Sequence, residues 1–578
     1  MLSEIQSLLM DQVNGEHLMK YTKEISREVR LSGSPEELRS FYYVQGLLDS
    51  FGLKTTLEFH DAYISLPIQA TLSINGNSLP CITHSMALST EGNILESTAV
   101  YIDEECLVLD QSVKNKIVIL DGIATPNIVK EAQKKEAIAA IFINGPYTHE
   151  MIVSTVWGNP TSKTKEDLPK IPVVSIDNKS GELLKNIIAE HHDSKVRLST
   201  VVESGWRKIP ALIANIQGQK ETEDFVLFSG HIDSWHYGAM DNASANATMI
   251  EVARILSINT QYLRRGVRFA FWSGHSHGRY AGSTSYCDHN WQELYDHCGL
   301  HIYIDSVGGK GATILSEANC MAETTQLGAK FIEIETKEKY MGKRFARAGD
   351  QSFWGTGIPS LFMGLSEQPL SNDPASKTLV KLFGGKRAGG FGWWWHTTED
   401  TIDKIYKNFL IRDCKIYLAT LFHTCSSRIL PIDQLAAIKE IKSSLIKYQG
   451  LSKKRIEMDK LVNQINNIEK LSAEFYDQLV EDHLSDEELL TINKGLMKIS
   501  RYLVPLNYVE GDIFEHDPAI GQVPIPMLSE ILTLIDIKSG CDIEYEIKTS
   551  LLRKINKISY SLKGVEDNLT KLLSKLSI

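Results

Sequence analysis

No two cysteines of this 578-residue chain are close enough to form a CxxC pair. The eight are scattered singly, at Cys81, Cys106, Cys287, Cys298, Cys320, Cys414, Cys425 and Cys541. That excludes a zinc knuckle or a dithiol redox motif and favours reduced, buried thiols in a cytoplasmic protein. No uncharged apolar run is long enough to span a bilayer. The first residues carry acids early and have no basic start or cleavage site, so no signal peptide and no membrane partner are expected. Positive charge is in deficit. The formal net charge is −11, and a phosphate backbone needs a basic face, so no nucleic-acid partner is expected. No internal repeat or low-complexity stretch appears. What remains is an ordinary soluble composition, 43 % hydrophobic and 23 % charged, in a chain too long for one compact core.

Four textures follow one another along the chain. Residues 4–52 read as helices, with Leu18, Tyr21, Ile25 and Val29 at three-to-four spacing. Ser34-Pro-Glu-Glu supplies a cap, a proline at the first helical position and acids in the first turn. Leu53 to Phe59 alternates like a strand. From 61 to 205 short strands dominate (Ala70–Ile74, Thr98–Ile102, Lys116–Leu120, Ala139–Ile143, Ile171–Ile176), with one helix over 128–135. None of these strands ends in a His, Asp or Cys cluster, so the segment reads as an inserted domain without chemistry of its own. From 206 to 430 strands and helices alternate, the sign of an α/β domain with a mainly parallel sheet and helices on both faces. Strands are expected at Phe225–Phe228, Gly266–Trp272, His301–Asp305 and Ile358–Met363, and a helix over Asn242–Leu256. From 431 to 578 amphipathic helices follow, with a loop expected over Leu503–Pro526.

Within the α/β segment, reactive residues sit just past strand ends, where open α/β sheets place their sites. After Phe225–Phe228 come His231, Asp233 and, beyond a Gly-Ala turn, Asp241. A neutral imidazole and a carboxylate at that spacing suit a metal, and Asp233 is placed to hold the other ring nitrogen of His231. Trp272-Ser-Gly-His-Ser-His-Gly278 follows the next strand, Asp305 ends another, and Trp393-Trp-Trp-His396-Thr-Thr-Glu-Asp-Thr401 closes the set. Singly, each has a plain structural explanation; the joint pattern is informative.

"GHIDSW…GAMDNAS", "FAFWSG…GS", "YIDSVG", "GDQSF…GIPS" and "HTTEDT" together resemble the M28 family of zinc exopeptidases, in the subgroup of glutamate carboxypeptidase II and the transferrin receptor. "KNKIVILDG…EAQKKEAIAAIFING…IPVVSI" resembles its PA-domain insert. The resemblance implies a peptidase domain over 1–60 and 206–430, a β-rich PA insert over 61–205 and a helical, dimerisation-like domain over 431–578, hence a possible homodimer through the C-terminal helices. It implies one or two zinc ions: His231 and Asp305 on the first, Asp241 bridging, His396 on the second, Asp233 orienting His231. A metal-activated water would then hydrolyse a peptide or a small amide.

One segment departs from the family pattern. Where the family has Ala-Glu-Glu, with general base and second-zinc ligand, this chain has Gly274-His275-Ser276. Aligned from the buried strand end at Trp272, His275 falls on the base and Ser276 on the ligand. Aligned backward from Gly282-Ser283, Ser276 and His277 do. Three readings stay open: His275 as the base, His275 or His277 as a metal ligand, or a catalytically inactive relative. A non-peptide amidohydrolase is the alternative activity. On the substrate side, Trp395 suggests an aromatic wall, and Arg279 and Arg347 are candidates to meet a carboxylate.

Overall fold

The computed structural model describes residues 3–103, 109–345, 350–362, 364–372, 374–383 and 385–576. Its spine is a sheet in which Glu221–His231 lies between Arg265–Trp272 and Cys298–Tyr303, parallel to both; Cys298–Tyr303 in turn pairs with Ser360–Leu361. Phe225–Phe228 is buried on both faces, as a parallel strand covered by helices requires. The neighbouring helices include Ala245–Ser257 and Lys407–Ser426. This is the expected mixed, mainly parallel α/β architecture.

The link to the insert differs from expectation. Leu53–Phe59 and Ala70–Ile74 are not separate strands. Lys54–Ile74 is one strand of 21 residues, antiparallel to Lys195–Ile216 over nearly its whole length, with a register shift at Pro67/Gln69. The missing hydrogen-bond donor of Pro67 is absorbed by that irregularity rather than ending the strand. The insert then runs through the parallel strands Leu95–Ile102, Ile117–Asp121, Ala139–Ile143 and Val173–Ile176, with helices Pro126–Lys134 and Asn178–Glu190.

Three further expectations shift. Residues 239–244 form a π-type turn, and the regular helix starts only at Ala245, because Asp241 and Asn242 have non-helical backbone angles. The short strand at 360–361 replaces the longer one expected over 358–363; Met363 lies outside the described residues. The helix Asp486–Tyr508 continues through Pro505, so the loop starts later than Leu503. Pro505 gives up one helical hydrogen bond, and the burial of Leu503, Val504, Leu506 and Tyr508 around it favours continuing the helix past it. The C-terminal helices Gln434–Leu451, Asp459–Gln478, Asp486–Tyr508 and Asp542–Leu576 enclose their own core around Ile441, Ile465, Leu496, Leu562 and Leu569.

Candidate metal centre

The strand Glu221–His231 carries His231 as its last residue, so sheet packing fixes the imidazole, which is fully buried. Its Nδ1 lies 2.9 Å from the backbone carbonyl of Asp233, which accepts its proton. That leaves Nε2 as the lone-pair atom, facing Asp241 Oδ1 at 3.2 Å and Asp305 Oδ2 at 3.5 Å. The orienting contact is thus the main chain of Asp233. Its carboxylate, 3.4 Å from Nδ1, is taken up instead by the Ser32 hydroxyl at 2.6 Å and the Ser276 N–H at 2.8 Å.

Asp241 reaches this point because the loop before it folds back tightly. Gly238 is in the left-handed region (φ 53°), and a Cβ there would fall 2.2 Å from the carbonyl oxygen of Asp241, so only glycine fits. Arg30 holds the same loop from behind. Its buried guanidinium donates to the carbonyls of Ile232, Tyr237 and Gly238 at 2.8, 2.7 and 3.1 Å. Asp400 accepts the N–H groups of Met240 and Asp241 at 2.9 and 3.0 Å. Asn242 ties Asp241 to the neighbouring strand end by donating to the carbonyl of Ile304 and accepting from the N–H of Ser306.

On its other side, Asp241 Oδ2 lies 2.9 Å from His396 Nε2. His396 is itself in the left-handed region (φ 60°). Its Nδ1 donates to the carbonyl of Glu150 at 2.6 Å, and the Glu150 N–H returns a bond to the His396 carbonyl at 2.9 Å. Neighbouring His149 bonds the carbonyl of Trp395 at 2.7 Å through Nδ1. The insert therefore has a part in the site, contrary to expectation. Its contribution comes from a loop after the strand Ala139–Ile143 rather than from a strand end, and it acts mainly through backbone groups.

The two histidines after Trp272 diverge. His275 stacks on His231, centroids 3.7 Å apart and planes at 14°, with Tyr280 edge-on at 4.3 Å. Its buried Nδ1 has no hydrogen-bond partner. His277 turns away: its Nδ1 is 2.9 Å from the Ser32 hydroxyl and its ring packs on Trp235 at 4.5 Å. Of the expected substrate residues, Arg279 is buried and donates to the carbonyl of Ile152 at 2.5 Å. Trp395 is buried against His396, ring centroids 3.4 Å apart. Arg347 lies outside the described residues. Trp393, 40 % exposed, stacks on Tyr147 of the insert at 4.5 Å and, with Trp394, Leu379 and Pro369, lines a cavity of about 470 Å³.

Three aspartates thus lie within 3.5 Å of one buried imidazole, an excess of negative charge that burial penalises. Burial alone lowers the pKa of His231, yet contacts with Asp233, Asp241 and Asp305 override it and raise it well above its ordinary value, so a cation at Nε2 would take the place of a proton there and leave the imidazole neutral. Burial and the charge of Asp241 raise the carboxyl of Asp305. Burial and the charge of His231 push His275 well below the usual histidine range. His231 Nε2 and Asp241 Oδ1 are buried without hydrogen-bond partners. Neutral-imidazole and carboxylate donors, orphaned around a common point, are the donor set of a divalent cation such as zinc.

Residues 211–421 match the model of peptidase family M28, and residues 83–184 match that of the PA domain. The chain carries an M28 peptidase domain with a PA insert. The site described above is built by both. The chain is 25 % identical over 251 residues to a probable glutamate carboxypeptidase of Zea mays, a match covering 41 % of this chain and 34 % of that protein. It is 24 % identical over 367 residues to the aminopeptidase NAALADL1 of Mus musculus, covering 56 % and 47 %. The chain thus spans about a third to a half of these relatives. Among solved structures, an aminopeptidase from Aneurinibacillus sp. strain AM-1 shares the fold at a TM-score of 0.53 and 20 % identity, over 73 % of this chain and 96 % of that one.

Proposed function

We propose that the chain is a metal-dependent hydrolase of peptide or related amide bonds. The observation that carries this reading is the orphaned donor set of His231 Nε2 and Asp241 Oδ1, with Asp305 beside it, at the strand ends of an M28 domain. A zinc ion held there would lower the pKa of a bound water toward ~7 and polarise the scissile carbonyl. The chain's own residues prepare the site. The Asp233 carbonyl keeps the His231 proton on Nδ1, and the Glu150 carbonyl does the same for His396. Two groups beside that point can take up a proton: the His275 ring and the Asp241 carboxylate.

The cavity lined by Tyr147, Trp393, Trp394 and Leu379 supports a substrate with a bulky apolar group, bound between the insert and the His396 loop. Non-peptide amides belong in the same test, because the base position carries an imidazole rather than a carboxylate. Exposed Leu552 and Tyr560 on the helix Asp542–Leu576 support a homodimer through the C-terminal helices, which light scattering tests. The seven described cysteines are all free thiols, in keeping with a cytoplasmic location that fractionation tests.

The deciding experiment assays a library of peptides and small amides with the metal-loaded protein, then after chelation, then after zinc is restored. Turnover lost and regained supports the reading. Silence of the fully loaded protein across the library overturns it and leaves a metal-binding scaffold.

A further inference from the structure

We propose that this centre holds one divalent cation, bound by His231, His275 and Asp305 with Asp241 Oδ1 alongside, and that Asp241 Oδ2 and His396 Nε2 form a hydrogen bond rather than a second metal site. The inference rests on reading the centre as a cation site, and it assigns His275 among the roles left open above.

The first argument is convergence. His231, His275 and Asp305 form the one group of three or more His, Cys, Asp or Glu residues, among the described residues, whose ligand atoms all lie within 4.8 Å of one another. Zinc bonds of about 2.0–2.2 Å in a tetrahedron put ligand atoms roughly 3.3–3.6 Å apart; the His231–Asp305 pair, at 3.5 Å, already has that spacing. Two histidines and one carboxylate with a fourth position open is a donor set that catalytic zinc sites use. The second argument is how His275 is held. Gly274 takes the left-handed conformation (φ 71°), and a Cβ there would lie 2.7 Å from Ile209 Cδ1. That turn lays the His275 ring along His231, with Tyr280 closing its edge. A histidine so placed, with a buried and unpartnered ring nitrogen, is costly without a ligand.

The third argument is what the other side is missing. A second cation would have Asp241 Oδ2 and His396 Nε2, only two protein ligands where zinc takes three or four. The family's carboxylate position is Ser276, whose main-chain N–H is committed to Asp233. His277 also has a buried, unpartnered nitrogen, Nε2, but its Nδ1 is held by Ser32 and its ring by Trp235, and it does not converge with His231 and Asp305 as His275 does. The 2.9 Å between Asp241 Oδ2 and His396 Nε2 is an ordinary hydrogen-bond length, made with a proton on each ring nitrogen of His396, and is shorter than two ligands of one tetrahedral ion would keep.

The test is a count. The full-length chain is stripped, reloaded with excess Zn²⁺ or Co²⁺, freed of unbound ion and analysed by elemental analysis and titration calorimetry. One ion per chain is expected. His275→Ala should weaken binding by more than the roughly 10–100-fold that loss of an outer hydrogen-bond partner costs, and should change the visible spectrum of the Co²⁺ form. His396→Ala should keep one ion and the parent spectrum. Two ions per chain overturn the proposal, as does a His396→Ala variant that loses its ion as His275→Ala does. The wild-type count decides even if a variant fails to fold. One ion with no hydrolysis sinks the hydrolase reading alone, two ions with hydrolysis sink this inference alone, and no ion sinks both.

Discussion

Asp241 divides the centre into two halves that are built differently. On one side, His231 closes a central strand and Asp305 lies two residues beyond the strand Cys298–Tyr303. Parallel pairing through Val226–Leu300 and Phe228–Ile302 sets their separation, so close packing holds both donors. On the other side, His396 sits in a loop with a left-handed backbone, held by two main-chain bonds to Glu150 of the insert. On the sheet side, His231 Nε2 is unpartnered and Asp305 accepts from the Ser306 and Tyr303 hydroxyls of its own strand end, whereas the insert side presents a histidine held through a backbone carbonyl of another domain. A scaffold that places ligands by strand register keeps them when loops diverge. A histidine placed across a domain contact depends on that contact.

The sharpest way to break this comparison is to remove a donor from the sheet half. His231→Ala or Asp305→Ala should abolish both ion binding and turnover, a loss of at least about 10³-fold in kcat/KM. Either variant retaining a full complement of metal by elemental analysis would show that the cation lies elsewhere.

The insert half is probed through the Glu150 side chain. It is 9 % exposed, its Oε2 has no partner, and its Oε1 stands 3.9 Å from His236 Nε2. Burial pushes this carboxyl up to about 8, against about 4.3 for a free glutamate. A carboxyl whose folded-state value is raised contributes most at low pH and loses that contribution as pH rises through the folded value, by up to ~1.4 kcal/mol per unit. Glu150→Gln should therefore match the wild type in stability near pH 4.5, gain on it by a few kcal/mol toward pH 8, and level off above. Denaturant midpoints across that range measure it. A difference that does not vary with pH would mean the carboxyl is ionised in place.

How far the site could be read without coordinates follows the same division. His231, Asp241 and Asp305 stood out because strand ends leave a local signature, a buried apolar run followed by a polar ligand; His396, in a loop, stood out through the family resemblance of the HTTEDT motif. The roles of Arg30, Ser32 and Glu150 left none. Each acts across more than 200 residues of chain: Arg30 through a guanidinium on backbone carbonyls, Ser32 through a hydroxyl, and Glu150 through main-chain groups that any residue type can offer. The insert strands were legible one by one, but a single strand over Lys54–Ile74 was not. Its continuity rests on pairing with Lys195–Ile216, more than 120 residues away. The divergence of His275 and His277 was hidden for a related reason. Two residues apart in an irregular loop, their directions are set by Gly274 and by Ser32 from another element.

Ser32 offers a finer probe. Its hydroxyl donates to Asp233 Oδ2 and lies 2.9 Å from His277 Nδ1. Ser32→Ala leaves a buried carboxylate oxygen and a ring nitrogen with fewer partners, which should cost about 1–3 kcal/mol of stability. It should also weaken ion binding by roughly 10-fold, since the main-chain contact from Asp233 to His231 survives. Ion affinity falling as far as in His231→Ala would mean that the Asp233 carboxylate, not its carbonyl, holds His231.

The smallest expected effect bears on the wall between the halves and the solvent. Trp393 lies against Tyr147 at 4.5 Å with planes at 23°, and Lys404 Nζ is 5.5 Å from its ring centre. It touches none of the proposed ligands, so Trp393→Ala should leave the ion count and the thermal midpoint nearly unchanged. What it removes is apolar surface facing the cavity. For a substrate with an aromatic side chain, KM should rise by up to about 10-fold with kcat little altered, the pattern of a contact made equally in ground and transition states. For a substrate with a small side chain, KM should hardly move. If kcat falls instead for both substrates, the stack of Tyr147 on Trp393 is part of what locks the insert onto the His396 loop, and the boundary drawn here between binding wall and catalytic half has to shift outward to include it.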